Sequence, residues 1–159
     1  MVDMEQEAVT LADRAALDYF DRQTVAIPKS ITALEAWSII SEQTGPFMRL
    51  AFKIRDAISA LFGVRRIGGF SGVRRGDVAV GDHLDFFLVE RIEPNMLVLT
   101  ARDSHLDVMT CVTTGVGSVS IMASVVTKNF FGRIYMLPVG LAHRWIVWNS
   151  LQRLRETMR

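Results

Sequence analysis

Alternation of apolar and polar residues dominates the second half of the chain. Leu84, Phe86 and Leu88 alternate with Asp85, Phe87 and Val89, and Glu93-Pro94-Asn95 then supplies turn chemistry. Leu97, Val98 and Leu99 open another run, closed by Arg102-Asp103-Ser104. Leu106, Val108, Thr110 and Val112 alternate with Asp107, Met109 and Cys111. Beyond Thr114-Gly115-Val116-Gly117, Val119, Ile121 and Ala123 alternate with Ser120, Met122 and Ser124 as far as Thr127. Connections this short predict an antiparallel meander rather than parallel strands joined by crossover helices. From Phe131 to Met158 the period becomes helical. Ile134, Leu137, Leu141, Trp145, Trp148 and Leu151 make one apolar stripe, expected to face the interior. Asn129 suits the cap, and Pro138 predicts a kink or a two-piece start.

The first half carries weaker signals. Residues 1–16 read as a loosely held arm and 17–159 as one domain. Leu17 to Ile27 suits a first strand, stopped by Pro28. Ser30 or Thr32 can cap a helix through Trp37, Ile39 and Ile40, and Glu35 stands where a capping box needs it. Gly45-Pro46 opens a second helix with Phe47, Leu50, Ala51, Ile54, Ile58 and Leu61 at helical spacing, and Gly63 ends it. Residues 63–76 hold four arginines and five glycines, with Gly-Val-Arg-Arg occurring twice. That segment matches neither a phosphate-binding loop nor a dinucleotide fingerprint, so a solvated basic connection is the preferred reading over an anion cradle. The predicted fold is α+β: one strand, two short helices, then an antiparallel curved sheet wrapped on a long C-terminal helix. This is the element order of the helix-grip, or START-like, architecture, in which a ligand lies between sheet and helix.

Composition narrows the classes. A chain of 159 residues buries roughly 70% of its unfolded surface, enough for a core without staples. Half of the residues are hydrophobic and 22% are charged, which argues against a disordered chain. The net charge of +1 gives no general attraction to nucleic acid. Cys111 is the single cysteine, so no internal disulfide forms, and a reducing compartment fits. Met1 to Glu7 lacks the apolar core of a secretory signal, and Ile134 to Leu151 is too interrupted to be an integral membrane span. The expected location is cytoplasmic.

Several blocks of residues resemble one family. His105-Leu106-Asp107, Val126-Thr127-Lys128-Asn129, Gly132-Arg133-Ile134-Tyr135, Pro138 and His143 follow the pattern of the bacterial domain-of-unknown-function family 2867. Gly81-Asp82-His83-Leu84-Asp85-Phe86 is similar to the strand start of related members. The resemblance runs from about Asp18 to Leu151. It implies a START-like, polyketide-cyclase-like fold (the SRPBCC superfamily) and carries no chemistry with it. One departure concerns the helix. Members often have an aromatic residue between the proline and the histidine, where this chain has Val139, Gly140, Leu141 and Ala142, which is expected to reshape a pocket there.

No complete catalytic or cofactor motif stands in the chain, so no cofactor is predicted. Asp103, His105 and Asp107, with Asp82, His83 and Asp85, could form a metal site if two strands brought them together. Their place at strand ends favours a polar rim instead, and no metal is predicted. His143 and Tyr135 on the closing helix are the candidate acid–base pair, with Asp107 (or Asp85) as orienting carboxylate. Trp37, Met109, Met122, Tyr135, Leu141 and Trp145 are the candidate ligand-binding residues. Three readings follow. The first is a binding module for a hydrophobic small molecule: a lipid, a quinone or an aromatic metabolite. The second is a small enzyme of the cyclase, dehydratase or aromatase kind. The third is a structural or interaction domain, such as a homodimer through an exposed edge or patch.

Overall fold

A computed structural model describes residues 9–42, 49, 53, 56, 78–84 and 87–159. The first strand, β1, spans Tyr19–Ala26, and a helix, α1, follows at Ala33–Glu42. Its start is a reciprocal capping box. The Thr32 N–H donates to Glu35 Oε2 at 2.7 Å, and the Glu35 N–H donates to Thr32 Oγ1 at 3.1 Å. Arg49, Lys53 and Asp56 are also helical, while most of the expected second helix and the whole of 63–76 lie outside the described residues. Among the described residues five further strands follow: β2 (His83–Leu84), β3 (Phe87–Glu93), β4 (Met96–Arg102), β5 (Leu106–Gly115) and β6 (Ser118–Thr127). Then comes α2, Phe130–Thr157.

The strands form one antiparallel sheet in the order β1-β6-β5-β4-β3-β2. The meander is as the alternation predicts, and β1 joins its far edge beside the last strand. Gly117 closes the β5–β6 turn at φ +72°, a conformation glycine adopts without a Cβ clash. The apolar run from Leu84 to Val89 differs from its expected single strand. Leu84 and Phe87 are direct partners, so it is two paired strands. A bulge between Val89 and Arg91 then shifts the register of β3.

Cross-strand register sorts the side chains onto two faces, and both are buried. Facing the helices, Val25, Val89, Leu97, Leu99, Val112, Val119 and Ile121 pack with Trp37 and Ile40 of α1 and with Val147, Leu151 and Leu154 of α2. On the other face Met96, Val98, Met109, Cys111 and Met122 make a second cluster, covered by Phe20, Val9 and Leu11. The N-terminal arm is therefore anchored over its described part, where the Leu11 N–H also donates to Ser124 Oγ at 3.3 Å. Removal from water on this face pushes the Cys111 thiol pKa up, so it is a packing residue and not an activated nucleophile.

The helix α2 starts at Asn129, whose side chain accepts the Gly132 N–H at 2.9 Å. It continues through Pro138 as one helix. Its expected stripe points the other way. Ile134, Leu137, Leu141, Trp145 and Trp148 are exposed, and of the six stripe positions only Leu151 is buried. The sheet side is held instead by Gly132, Gly140, Val147, Ser150, Leu151 and Leu154. The helix is apolar on two opposite faces, and the sequence period alone cannot say which one the sheet takes.

Candidate functional site

The site is built where α2 crosses β1. Tyr19, Asp21 and Gln23 alternate onto the helix-facing side of β1, because they share register positions with Val125, Ala123 and Ile121 of β6. The Tyr19 hydroxyl donates to the Gly140 carbonyl at 3.1 Å, and Gln23 Nε2 donates to the Arg144 carbonyl at 2.9 Å. Gly140 makes the contact feasible, since a Cβ there would stand 2.9 Å from Tyr19 Cε2. Gly140 therefore lets the ring of Tyr19 lie against the backbone of α2.

His143 meets the Tyr19 ring edge to face, with centroids 6.1 Å apart, and Arg144 lies over the same ring at 5.6 Å. The His143 Nδ1 is out of contact with water and has no hydrogen-bond partner among the described residues. Burial pushes the His143 pKa below its ordinary value, and the nearby Asp21 charge opposes that shift. The imidazole is thus held neutral. Burial also pushes the Tyr19 phenol up, so this hydroxyl is a hydrogen-bond donor and not an activated base.

Linkage fixes the sign of the pH effect. Between the depressed folded pKa and about 6.5, the unfolded state binds more protons at His143 than the folded state does. Stability is therefore expected to fall as pH drops below about 6.5, by at most about 1.4 kcal/mol per pH unit from this group. Urea titrations at several pH values should show that slope reduced in His143→Leu. An identical slope in the variant would mean that His143 is as easily charged in the folded state as in the unfolded chain.

A groove of about 360 Å³ opens beside this junction. Met136, Leu137 and Leu141 form its apolar wall, and Tyr19 with Gly140 closes one side. Arg133 and Arg144 also line it, separated by about 16 Å of helix rise. Asp18 accepts the Thr127 N–H at 2.7 Å, and that bond, helped by Arg133, holds the Asp18 carboxyl below the usual carboxylate range.

The six residues expected to bind a ligand do not converge. Trp37 is a core residue, edge to face with Phe87 at 5.6 Å. Met109 and Met122 lie on the opposite face of the sheet, because their register partners are Thr100, Ser124, Cys111 and Arg22. Leu141 is in the groove wall, and Trp145 is exposed on the outer side of α2. Tyr135 is half-buried and packs near Phe131, with ring centroids 6.1 Å apart.

The acid–base set also divides. Tyr135 and His143 are about 12 Å apart along the helix axis. Asp107 sits on the face away from α2, in ion pairs with Arg102 at 3.0 Å and Lys128 at 2.9 Å. The carboxylate that His143 feels is Asp21, and the neighbouring phenol is Tyr19. Sequence reading missed both, because only the β1–β6 pairing brings them under α2. The available signal was the polar run Tyr19, Asp21, Gln23 on alternate positions of a strand whose next such residue, Val25, is core.

The histidine and aspartate cluster at the strand ends is a rim. Asp103 Oδ1 accepts the N–H groups of His105 and Leu106, and Asp82 Oδ2 accepts that of Ala79. His105 Nδ1 lies 2.8 Å from Asn129 Nδ2, joining this rim to the start of α2. Among the described residues no three histidine, cysteine, aspartate or glutamate side chains are grouped to hold a metal ion. Asp85 lies outside the described residues.

A family model described as "Protein of unknown function (DUF2867)" matches residues 14–150. The chain belongs to the DUF2867 family. The matched span takes in β1, the sheet and α2 as far as Ser150, so the junction of Tyr19, His143 and Arg144 lies within the DUF2867 region. No curated protein and no solved structure matches the chain.

Proposed function

We propose that this DUF2867 protein is a binding module for a hydrophobic small molecule (a lipid, a quinone or an aromatic metabolite) held between the sheet and α2 in a START-like manner. Two features of the topology support the START-like reading. The first strand pairs with the last at one edge, and the long helix follows the meander and lies across the sheet. The observation that carries the binding reading is His143 Nδ1, a buried ring nitrogen without a hydrogen-bond partner among the described residues. Folded proteins satisfy nearly all such atoms, because an unmade hydrogen bond in a dry site costs about 1–3 kcal/mol. His143 does not itself line the groove, and a ligand with one polar group on an apolar body, entering past Tyr19 and Gly140, would satisfy it; sites of mostly apolar lining with a few polar groups suit such molecules.

Native mass spectrometry of gently purified protein, set against the denatured mass, tests the reading. A defined adduct is expected, and His143→Leu should lose it. Added fatty acids, quinones or aromatic acids should stabilise the protein by about 2.7 kcal/mol at a hundredfold excess over Kd, seen as a higher melting temperature. Neither an adduct nor any ligand-induced rise would sink the binding module.

The juxtaposition of Tyr19, His143 and Asp21 favours a second reading, an enzyme transferring a proton at the same place. It ranks below binding because the Tyr19 hydroxyl is already engaged by the Gly140 carbonyl.

A further inference from the structure

The outer face of α2 carries an exposed apolar row. Phe130 is 76% exposed and Leu137 and Leu141 are each 71% exposed, and Ile134, Trp145 and Trp148 continue the row. At 100° per residue these six fall within about 80° of one another around the helix, so they form one strip. Water-facing strips of this kind mark interaction surfaces.

Charge decides which partner suits it. Between Phe130 and Arg155 the helix has four arginines and no aspartate or glutamate. Arg133, Arg144 and Arg155 recur every eleven residues, about three turns, and are exposed along one edge of the strip. Asp21 stands 3.8 Å from Arg144, but before Glu156 the helix itself offers a second copy of this face no acid to answer its arginine row. An anionic lipid surface answers both features at once. Leucine and phenylalanine enter the acyl boundary, tryptophan sits at headgroup level, and arginine pairs with the phosphates.

We infer that the outer face of α2 docks the protein on anionic phospholipid membranes, lying in the interface without crossing it. The strip has no charged residue within it to oppose shallow insertion, and among the described residues no helix is long and apolar enough to span a membrane. The groove shares Leu137 and Leu141 with the strip, so it opens on the docked side. The inference does not rest on the ligand reading, since an empty protein would dock equally well.

Vesicle flotation of the full chain tests it, with phosphatidylcholine alone against phosphatidylcholine containing about one-third phosphatidylserine. Binding is expected only to the anionic vesicles, and raised salt should release it. The double variant Arg133→Gln, Arg155→Gln should bind about twenty-five-fold more weakly, since one arginine near such a surface is worth about fivefold. Leu137→Ser with Leu141→Ser should abolish binding while circular dichroism stays unchanged, because both side chains are exposed. Brominated lipid should quench tryptophan emission through Trp145 and Trp148, leaving the buried Trp37 as background.

Equal binding to neutral vesicles, or no binding to either, would overturn the proposal. No binding together with a dimer that the two serines dissociate would assign the strip to a second copy. No binding with Trp145 and Trp148 shielded from acrylamide would assign it to residues 43–77 of the same chain.

Discussion

Gly132→Ala is expected to destabilise the protein by about 3 kcal/mol, although alanine is the better helix former by about 1 kcal/mol. The reason is where α2 begins. A Cβ on Gly132 would stand 2.5 Å from the His105 carbonyl oxygen and 3.3 Å from Thr127 Cβ. That carbonyl is backbone, and it already accepts the Lys128 N–H at 2.7 Å, so it cannot yield without losing that bond. Urea unfolding should show a lower midpoint with an unchanged slope, and the melting temperature should drop by about 9 °C. Gly140→Ala is the useful contrast. Its Cβ meets the side chain of Tyr19, which can rotate, so a cost of about 1 kcal/mol is expected together with loss of the Tyr19–Gly140 bond. A Gly132→Ala protein as stable as the parent would show that α2 does not abut the β4–β5 rim. The positions of Tyr135 and His143 above the sheet would then fall with it.

Trp37→Ala is expected to cost about 4 kcal/mol, a large part of the stability of an ordinary domain. Trp37 is 6% exposed and packs edge to face on Phe87, within the cluster that joins α1, the sheet and the last turns of α2. Its loss empties a large volume at the point where three elements meet, and their backbones limit collapse into it. Equilibrium unfolding measures the cost, and native mass spectrometry of the same variant separates the two roles a tryptophan can have. A destabilised protein that keeps its adduct assigns Trp37 to the core. A protein of parental stability that has lost its adduct would return Trp37 to the ligand wall.

Local signals in this chain were dependable where one physical cause acted alone. Thr32 with Glu35, Asn129 before α2 and Gly117 in the β5–β6 turn each satisfy a backbone requirement that neighbours in sequence can meet. The short turn-bounded runs from Leu97 to Thr127 likewise report strands correctly, because aliphatic and β-branched residues between turn signals suit strands even where both faces of the sheet are buried. The stretch from Leu84 to Val89 misled, since two short paired strands and one longer strand share the same composition.

The sequence by itself determined the first strand, the helix after it, the antiparallel meander and the closing helix, with the caps at Thr32 and Asn129, because those depend on residues within a few positions of each other. Only the tertiary structure decided which face of α2 meets the sheet, that Met109 and Met122 lie on the far side of it, and that Tyr19 and Asp21 sit beside His143. A helix with two apolar faces and a sheet buried on both sides give the same periodicity whichever side is inward. The choice is made by contacts spanning more than a hundred residues, such as Tyr19 with Gly140, to which local pattern is blind.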